Sequence, residues 1–127
     1  MIGSHADTIR ELVEHLRPVL ENSPDGVYLW LDETHKVCNQ RLADLFGCTV
    51  EEWCSTAPFL DSFVAEDDRD LYSWHYHNRV AALTFPVTFR FRGLRKDGST
   101  FAAETDMVPI TYGGHTIAYH FVRQVGE

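Results

Sequence analysis

Seven histidines and three cysteines stand among the 127 residues, and these side chains are the ones best equipped to hold a metal, orient a ligand or attack a substrate. His75 and His77 lie in the run Tyr72-Ser73-Trp74-His75-Tyr76-His77. On a helix they point to different sides, whereas a histidine pair gripping a metal from one helix needs i, i+4 spacing, so no metal site is expected. Cys38, Cys48 and Cys54 are odd in number and form no Cys-x-x-Cys pair, which points to reduced thiols. No motif sets a serine or cysteine nucleophile beside a base. Gly113-Gly114 and the Lys96-Asp97-Gly98 turn do not precede helices, so neither is a phosphate-binding loop. Asp67 and Asp68 read as charges at a helix start, where the dipole favours acid. The chain is read as a non-enzyme, any catalysis residing in a partner protein.

His120 acquires a more specific setting from the strands that carry it. Val87, Phe89 and Phe91 alternate with Thr88, Arg90 and Arg92, the pattern of a half-buried strand. Phe101, Ala103, Thr105 and Met107 form the matching face of the next strand. A three-residue Asp97-Gly98-Ser99 loop would set Lys96 opposite Thr100, Arg92 opposite Glu104 and Arg90 opposite Asp106. Tyr112-Gly113-Gly114-His115 is a second tight turn, and it sets Met107 opposite His120 and Thr105 opposite Val122. Ala118, His120 and Val122 then share the inner face, and Ile117, Tyr119 and Phe121 the outer one. On that inner face His120 is either a core histidine bonded within the fold or a polar anchor in an apolar pocket.

Length and charge bound the remainder. A chain of 127 residues with 44% hydrophobic content supports one domain with a core. A net charge of -8 argues against a nucleic-acid partner. No apolar run is long enough to span a bilayer, and M-I-G-S-H-A-D lacks the apolar core of a signal peptide, so the expectation is a cytoplasmic protein without a membrane partner.

Asp7 is placed to cap a first helix whose Ile9, Leu12, Val13 and Leu16 recur at helical spacing. Pro18 is expected to break it and begin a short turn, Pro18 to Glu21. Val27 to Leu31 reads as a strand apolar on both faces, Val27, Leu29 and Leu31 on one and Tyr28 and Trp30 on the other, which suits the middle of a sheet. A short strand at Lys36 to Cys38 follows, then an Asn39-capped helix from Gln40 to Phe46 ended by Gly47, and a Thr49–Glu52 capping box. Phe59 to Val64 reads as an apolar connector. Glu66-Asp67-Asp68 leads into a long helix over Arg69 to Leu83.

This order resembles a PAS domain, and four stretches carry the resemblance. S-P-D-G-V-Y-L-W-L-D is similar to the first PAS strand, and N-Q-R-L-A-D-L-F-G-C-T-V-E-E-W to the Asn-led helix and the segment after it. E-D-D-R is similar to the acidic start of the long helix, and F-R-G-L-R-K-D-G-S-T-F to the closing hairpin. The resemblance implies an α+β fold: a five-stranded antiparallel sheet of order 2-1-5-4-3, helices cupping one face, and an N-terminal amphipathic helix. Residues 1–22 would form that helix, for dimerisation or capping, and residues 23–127 the PAS domain. The last residues, V-R-Q-V-G-E, depart from the family's D-I-T-like exit into a linker helix.

The implied function is a sensory module that binds a small ligand in an internal pocket, contacts a signalling protein, or both. Leu29, Cys38, Leu42, Phe46, Tyr72, His75, Tyr76, Phe89, Phe91, Met107 and His120 are expected around the pocket. Ile9, Leu12, Val13, Leu16, Tyr28, Trp30, Tyr119 and Phe121 are expected at a homodimer interface, because an outer face this aromatic needs cover. One alternative is a haem or redox sensor using His75 or His120. Haem-binding members carry a histidine whose place here falls at Leu71 or Tyr72, so haem fits poorly. The E-E-W-C-S-T-A-P-F-L stretch does not match the N-C-R-F-L-Q segment of light-sensing members, which disfavours flavin, and no cofactor is required. Another alternative is a small enzyme on the same cup-shaped fold.

Overall fold

Strand β1 (Gly26–Asp32) lies between β2 (His35–Cys38) and β5 (His115–Gln124), and β4 (Thr100–Tyr112) joins β5 to the edge strand β3 (Val87–Leu94). The computed structural model describes residues 4–81 and 85–126. Its sheet is antiparallel throughout, in the expected order β2-β1-β5-β4-β3. Helix α1 (His5–Asn22) precedes it. Between β2 and β3 come α2 (Gln40–Phe46), α3 (Val50–Ser55), α4 (Phe59–Phe63) and α5 (Arg69–His75), the last continuing as a π-helical turn over Tyr76–Ala81. The helix end expected at Leu83 lies outside the described residues.

The capping signals of α2 and α3 act as expected. Asn39 caps α2, Gly47 ends it in the left-handed region at φ 70, and Thr49 and Glu52 cap α3 reciprocally. Asn39 does more than cap. Its Oδ1 accepts from the amides of Val27 and Leu42, each at 3.0 Å, and its Nδ2 donates to the carbonyls of Leu20 at 3.1 Å and Asp25 at 3.3 Å. One side chain thus fastens the end of α1 and the start of β1 to α2.

Helix α1 differs from expectation at both ends. Its N-cap is Ser4, whose Oγ accepts from the Asp7 amide, so Asp7 sits in the first turn instead of before it. The helix also runs through Pro18 to Asn22. Pro18 is exposed, so the carbonyl left without its usual partner can face water and the break costs little.

The β3–β4 register is two residues from the expected one. Arg90 lies opposite Glu104, Arg92 opposite Ala102 and Thr88 opposite Asp106. The hairpin closes at Arg95 and Ser99, around Lys96-Asp97-Gly98. Gly98 has φ 89, and a three-residue loop places such a residue last, so the glycine sets the frame. A loop displaced by one residue moves the pairing by two, which leaves every side chain on its expected face. The β4–β5 register agrees with expectation over its whole length, from Tyr112 opposite His115 to Thr105 opposite Val122, with Gly113 at φ 60 and Gly114 at φ 81.

Two apolar layers cover the sheet. On the inner face Leu42, Phe46, Trp53, Phe59, Phe63 and Tyr72 from the helices pack on Phe91, Phe101, Ala103, Met107 and Val122. On the outer face α1 lays Ile9 and Leu12 on Leu29 and Ile117, with Val13, Leu16 and Tyr119 half-buried around them. The orientation of β1 is therefore opposite to the expected one. Tyr28 pairs with His120 and Leu29 with Tyr119, so Tyr28 and Trp30 face inward and Leu29 faces α1. A strand apolar on both faces has no polar side to orient it, and the pairing partner decides.

Candidate functional site

A cleft of about 340 Å³ opens where the C-terminal half of β1 meets α4 and the end of α5. Tyr28 and Trp30 from β1, Phe59 from α4, Tyr72 from α5, Tyr76 from the π-helical turn and His120 from β5 form its walls, with Asp32, Glu33 and His77 toward solvent. A π-helical turn widens the helix locally, and such turns concentrate at functional sites.

The walls are joined through their rings. Tyr28 stacks flat on His120, centroids 3.8 Å apart and planes 8° from parallel. Phe59 lies 5.6 Å from Tyr28, 5.5 Å from Trp30 and 5.5 Å from Tyr72, and Trp30 meets Tyr76 edge-on at 6.4 Å. Trp30 is held from behind by Lys36, whose Nζ lies 5.3 Å from its ring and donates to the Thr56 carbonyl at 2.6 Å and to Glu33 at 3.2 Å. Glu33 in turn accepts from the Phe59 amide at 3.1 Å, which braces the start of α4.

Polar atoms are few at the bottom of this cleft. The hydroxyls of Tyr28 and Tyr72 hydrogen-bond to each other. Burial raises both phenols above their ordinary range, so both stay neutral. In such a pair one hydroxyl donates and the other accepts, and the acceptor's own proton is left to be donated elsewhere. His120 is 2% exposed, and among the described residues its Nδ1 has no partner in hydrogen-bonding geometry. Burial pushes its pKa down to about 3, only partly offset by the Ala118 backbone, so the ring is neutral.

Of the residues expected to surround a ligand, three line the cleft: Tyr72, Tyr76 and His120. Cys38, Leu42, Phe46, Phe91 and Met107 are on the inner face as expected but inside the filled core, and Phe89 packs against it. His75 stacks on Phe89 at 4.2 Å. Leu29 lies on the other side of the sheet. The space lies off-centre because Trp53, Phe59 and Phe63 fill the middle. The sequence pattern over Phe59 to Val64 suggests only an apolar connector, whereas α4 is a helix whose Phe59 and Phe63 are both buried. Among the cleft residues that the sequence pattern does not point to are the aromatic walls Tyr28, Trp30 and Phe59 and the solvent-side Asp32, Glu33 and His77. Of the residues expected at a dimer interface, Tyr28 and Trp30 belong to the cleft instead, and Ile9 and Leu12 are already buried between α1 and the sheet.

The cysteines lie to one side of the cleft. Cys38 is buried and Cys54 half-buried, and both are free thiols. A hydrogen bond from the Cys38 thiol lowers Cys54 to about 7, while that contact and burial raise Cys38.

The sequence matches the family described as PAS fold over residues 14–124. No curated protein matches it significantly. Among solved structures it is similar to the PAS domain of an HTR-like protein from Haloarcula marismortui, with TM-score 0.68, 21% identity, and 94% of this chain and 96% of that one covered. It is also similar to a PAS domain from Colwellia psychrerythraea, with TM-score 0.71, 16% identity and coverage of 90% and 97%. A third is the PAS domain, in complex with ethanol, of a LuxR-family transcriptional regulator from Burkholderia thailandensis, with TM-score 0.67, 15% identity and coverage of 86% and 96%.

Proposed function

Because this chain belongs to the PAS family of sensory and signalling modules, we propose that it senses a small, largely apolar molecule carrying one polar group, held in the cleft between Tyr28, Tyr72 and His120. The observation that carries this reading is the buried, unpartnered Nδ1 of His120 on a wall of an aromatic cleft. A buried polar atom without a partner is costly, and a ligand hydroxyl would relieve it. The same hydroxyl can accept the proton left over by the Tyr28–Tyr72 pair. A volume near 340 Å³ suits a small molecule. The related domain from Burkholderia thailandensis, in complex with ethanol, is consistent with a ligand of this class.

The test is an amide and indole NMR titration of the whole chain with ethanol, larger alcohols and phenols. The expected result is saturable shifts centred on Tyr28, Trp30, Tyr76 and His120, lost in His120→Phe while the spectrum stays folded. Shifts that persist unchanged in His120→Phe, or that map elsewhere, overturn the reading. A Soret band in freshly purified protein would replace it with the haem-sensor alternative.

We also infer that the module pairs with a second copy through the solvent side of α1 and the outer face. Supporting this are Leu16 and Phe121, half-buried there, and Val19, 36% exposed on the same helix. Leu16→Asp with Phe121→Asp should give a monomer in sedimentation. A wild-type chain that sediments as a monomer at high micromolar concentration ends this part of the proposal.

A further inference from the structure

Two residues of the β1–β2 turn meet one from the start of α1 at the rim of the sheet. His5 opens α1, Asp32 ends β1 and His35 opens β2. The Asp32 carboxylate lies between the two rings, with Oδ2 2.5 Å from His5 Nδ1, and Oδ1 and Oδ2 2.8 and 3.0 Å from His35 Nδ1. The three potential ligand atoms all lie within 4.8 Å of one another. A register shift between Trp30 and Asp32 turns the carboxylate toward this point. The Thr34 amide and hydroxyl hold Asp32 Oδ1 at 2.9 and 3.0 Å, and His115 sets its ring edge-on to His5 at 4.6 Å.

We infer that His5, Asp32 and His35 form a binding site for a divalent transition cation of the zinc class. Two imidazoles and one carboxylate are a donor set that such ions prefer over magnesium or calcium, which seek oxygen cages. Zinc–nitrogen bonds near 2.0–2.1 Å put tetrahedral ligand atoms roughly 3.3 Å apart. The carboxylate–imidazole separations of 2.5 to 3.0 Å lie below that value, and the ligand atoms stay within 4.8 Å of one another, so side-chain rotations suffice to open them to it. On loading, each imidazole takes its Nε2–H tautomer and turns the Nδ1 lone pair to the cation. Thr34 and His115 supply the surrounding contacts that hold ligands in orientation. All three ligands are half-exposed, which leaves an open position for water or a fourth donor. Because one ligand belongs to α1 and two to the β1–β2 turn, the cation clamps the start of α1 onto the sheet. This site lies apart from the aromatic bottom of the cleft and does not depend on a ligand there.

The whole chain, stripped with a chelator, is titrated with zinc chloride by calorimetry and with Co²⁺ by visible absorption. The expected result is saturable binding of one ion per chain, a Co²⁺ spectrum of nitrogen–oxygen coordination, and a melting temperature that rises with zinc, since only the folded chain gathers the ligands. His35→Ala and His5→Ala should each weaken zinc binding by more than about tenfold, the loss that even outer partners of a metal ligand cause. His15→Ala, on the exposed side of α1, should bind as wild type does. Circular dichroism of each variant in chelator separates lost ligation from lost folding, and His5, at the start of α1, is the substitution least able to unfold the sheet. No saturable zinc binding, or binding unchanged in both His5→Ala and His35→Ala, overturns the inference.

Discussion

The ring of Tyr28 lies face to face with that of His120, 3.8 Å apart between centroids, on neighbouring strands whose pairing sets the two residues directly opposite each other. The contact buries an imidazole without satisfying it. In an ordinary core a histidine would be hydrogen-bonded, whereas here the stack provides packing and Nδ1 is left over.

Replacing His120 by Phe keeps an aromatic ring on Tyr28, removes the unsatisfied nitrogen and adds volume. Relief of a buried polar atom and overpacking are opposed effects of about 1–3 kcal/mol each. The net change in unfolding free energy should therefore stay within about 1.5 kcal/mol by urea denaturation. A larger loss would show that His120 makes a hydrogen bond vital to the fold.

The same residue should make the protein acid-sensitive. Its pKa falls from 6.5 to about 3 on folding because burial disfavours the cation. The unfolded chain thus binds a proton that the folded chain refuses between those values. Stability from this group is whole above pH 6.5 and declines as pH falls toward 3, by up to about 1.4 kcal/mol per pH unit. Urea midpoints across that window should fall less steeply in His120→Phe than in wild type. Equal slopes would mean that the folded protein protonates this ring readily.

Asn39 should be the most damaging alanine truncation among the helix caps, because it is buried and four backbone groups depend on it. Asn39→Ala is expected to cost about 2–3 kcal/mol, above the usual worth of a cap alone. Asn39→Asp retains the acceptor for Val27 and Leu42 but loses the donors to Leu20 and Asp25. It should recover part of that loss, and equal instability of the two variants would place the whole effect on the donor side.

Arg123 gathers the carboxylates of the outer face. Its guanidinium bonds Asp106 in two places at 3.0 and 3.1 Å, Glu104 at 2.6 and 3.1 Å, and Asp25 at 3.3 Å. Hydrogen bonds from Arg123 hold both Asp106 and Glu104 below their ordinary carboxyl range. Folded-state values below the unfolded ones mean stability that is present at neutral pH and lost as pH falls through the lowered values. Arg123→Met should therefore destabilise at neutral pH, with the Arg123–Asp106 contact contributing at most about 1 kcal/mol at this exposure. The difference from wild type should shrink in acid and in high salt. A difference that persists undiminished at low pH would assign the effect to lost packing.

Local signals in this sequence were sufficient where one residue type answers one backbone need. Asn39, Gly47 and the Thr49–Glu52 pair mark helix ends because orphan amides and a left-handed residue admit few solutions. Gly113-Gly114 set the β4–β5 register, and with it the inward face of His120, from turn geometry alone. In the β3–β4 hairpin the alternation determined the faces, but two candidate three-residue loops that both contain Gly98, Lys96-Asp97-Gly98 and Asp97-Gly98-Ser99, left the pairing open by two.

Tertiary structure decided what had no local marker. β1 is apolar on both sides, so only its pairing with β5 turned Tyr28 and Trp30 inward and Leu29 toward α1. The cleft lies at the margin of the core because Phe59 and Phe63 of a short helix fill its centre, a matter of packed volume that periodicity does not encode. His5, Asp32 and His35 carry no recognisable spacing, since one comes from a helix and two from the ends of a strand pair. Their meeting follows from where α1 docks, and that docking rests on Ile9 and Leu12 finding Leu29 and Ile117 on the outer face of the sheet.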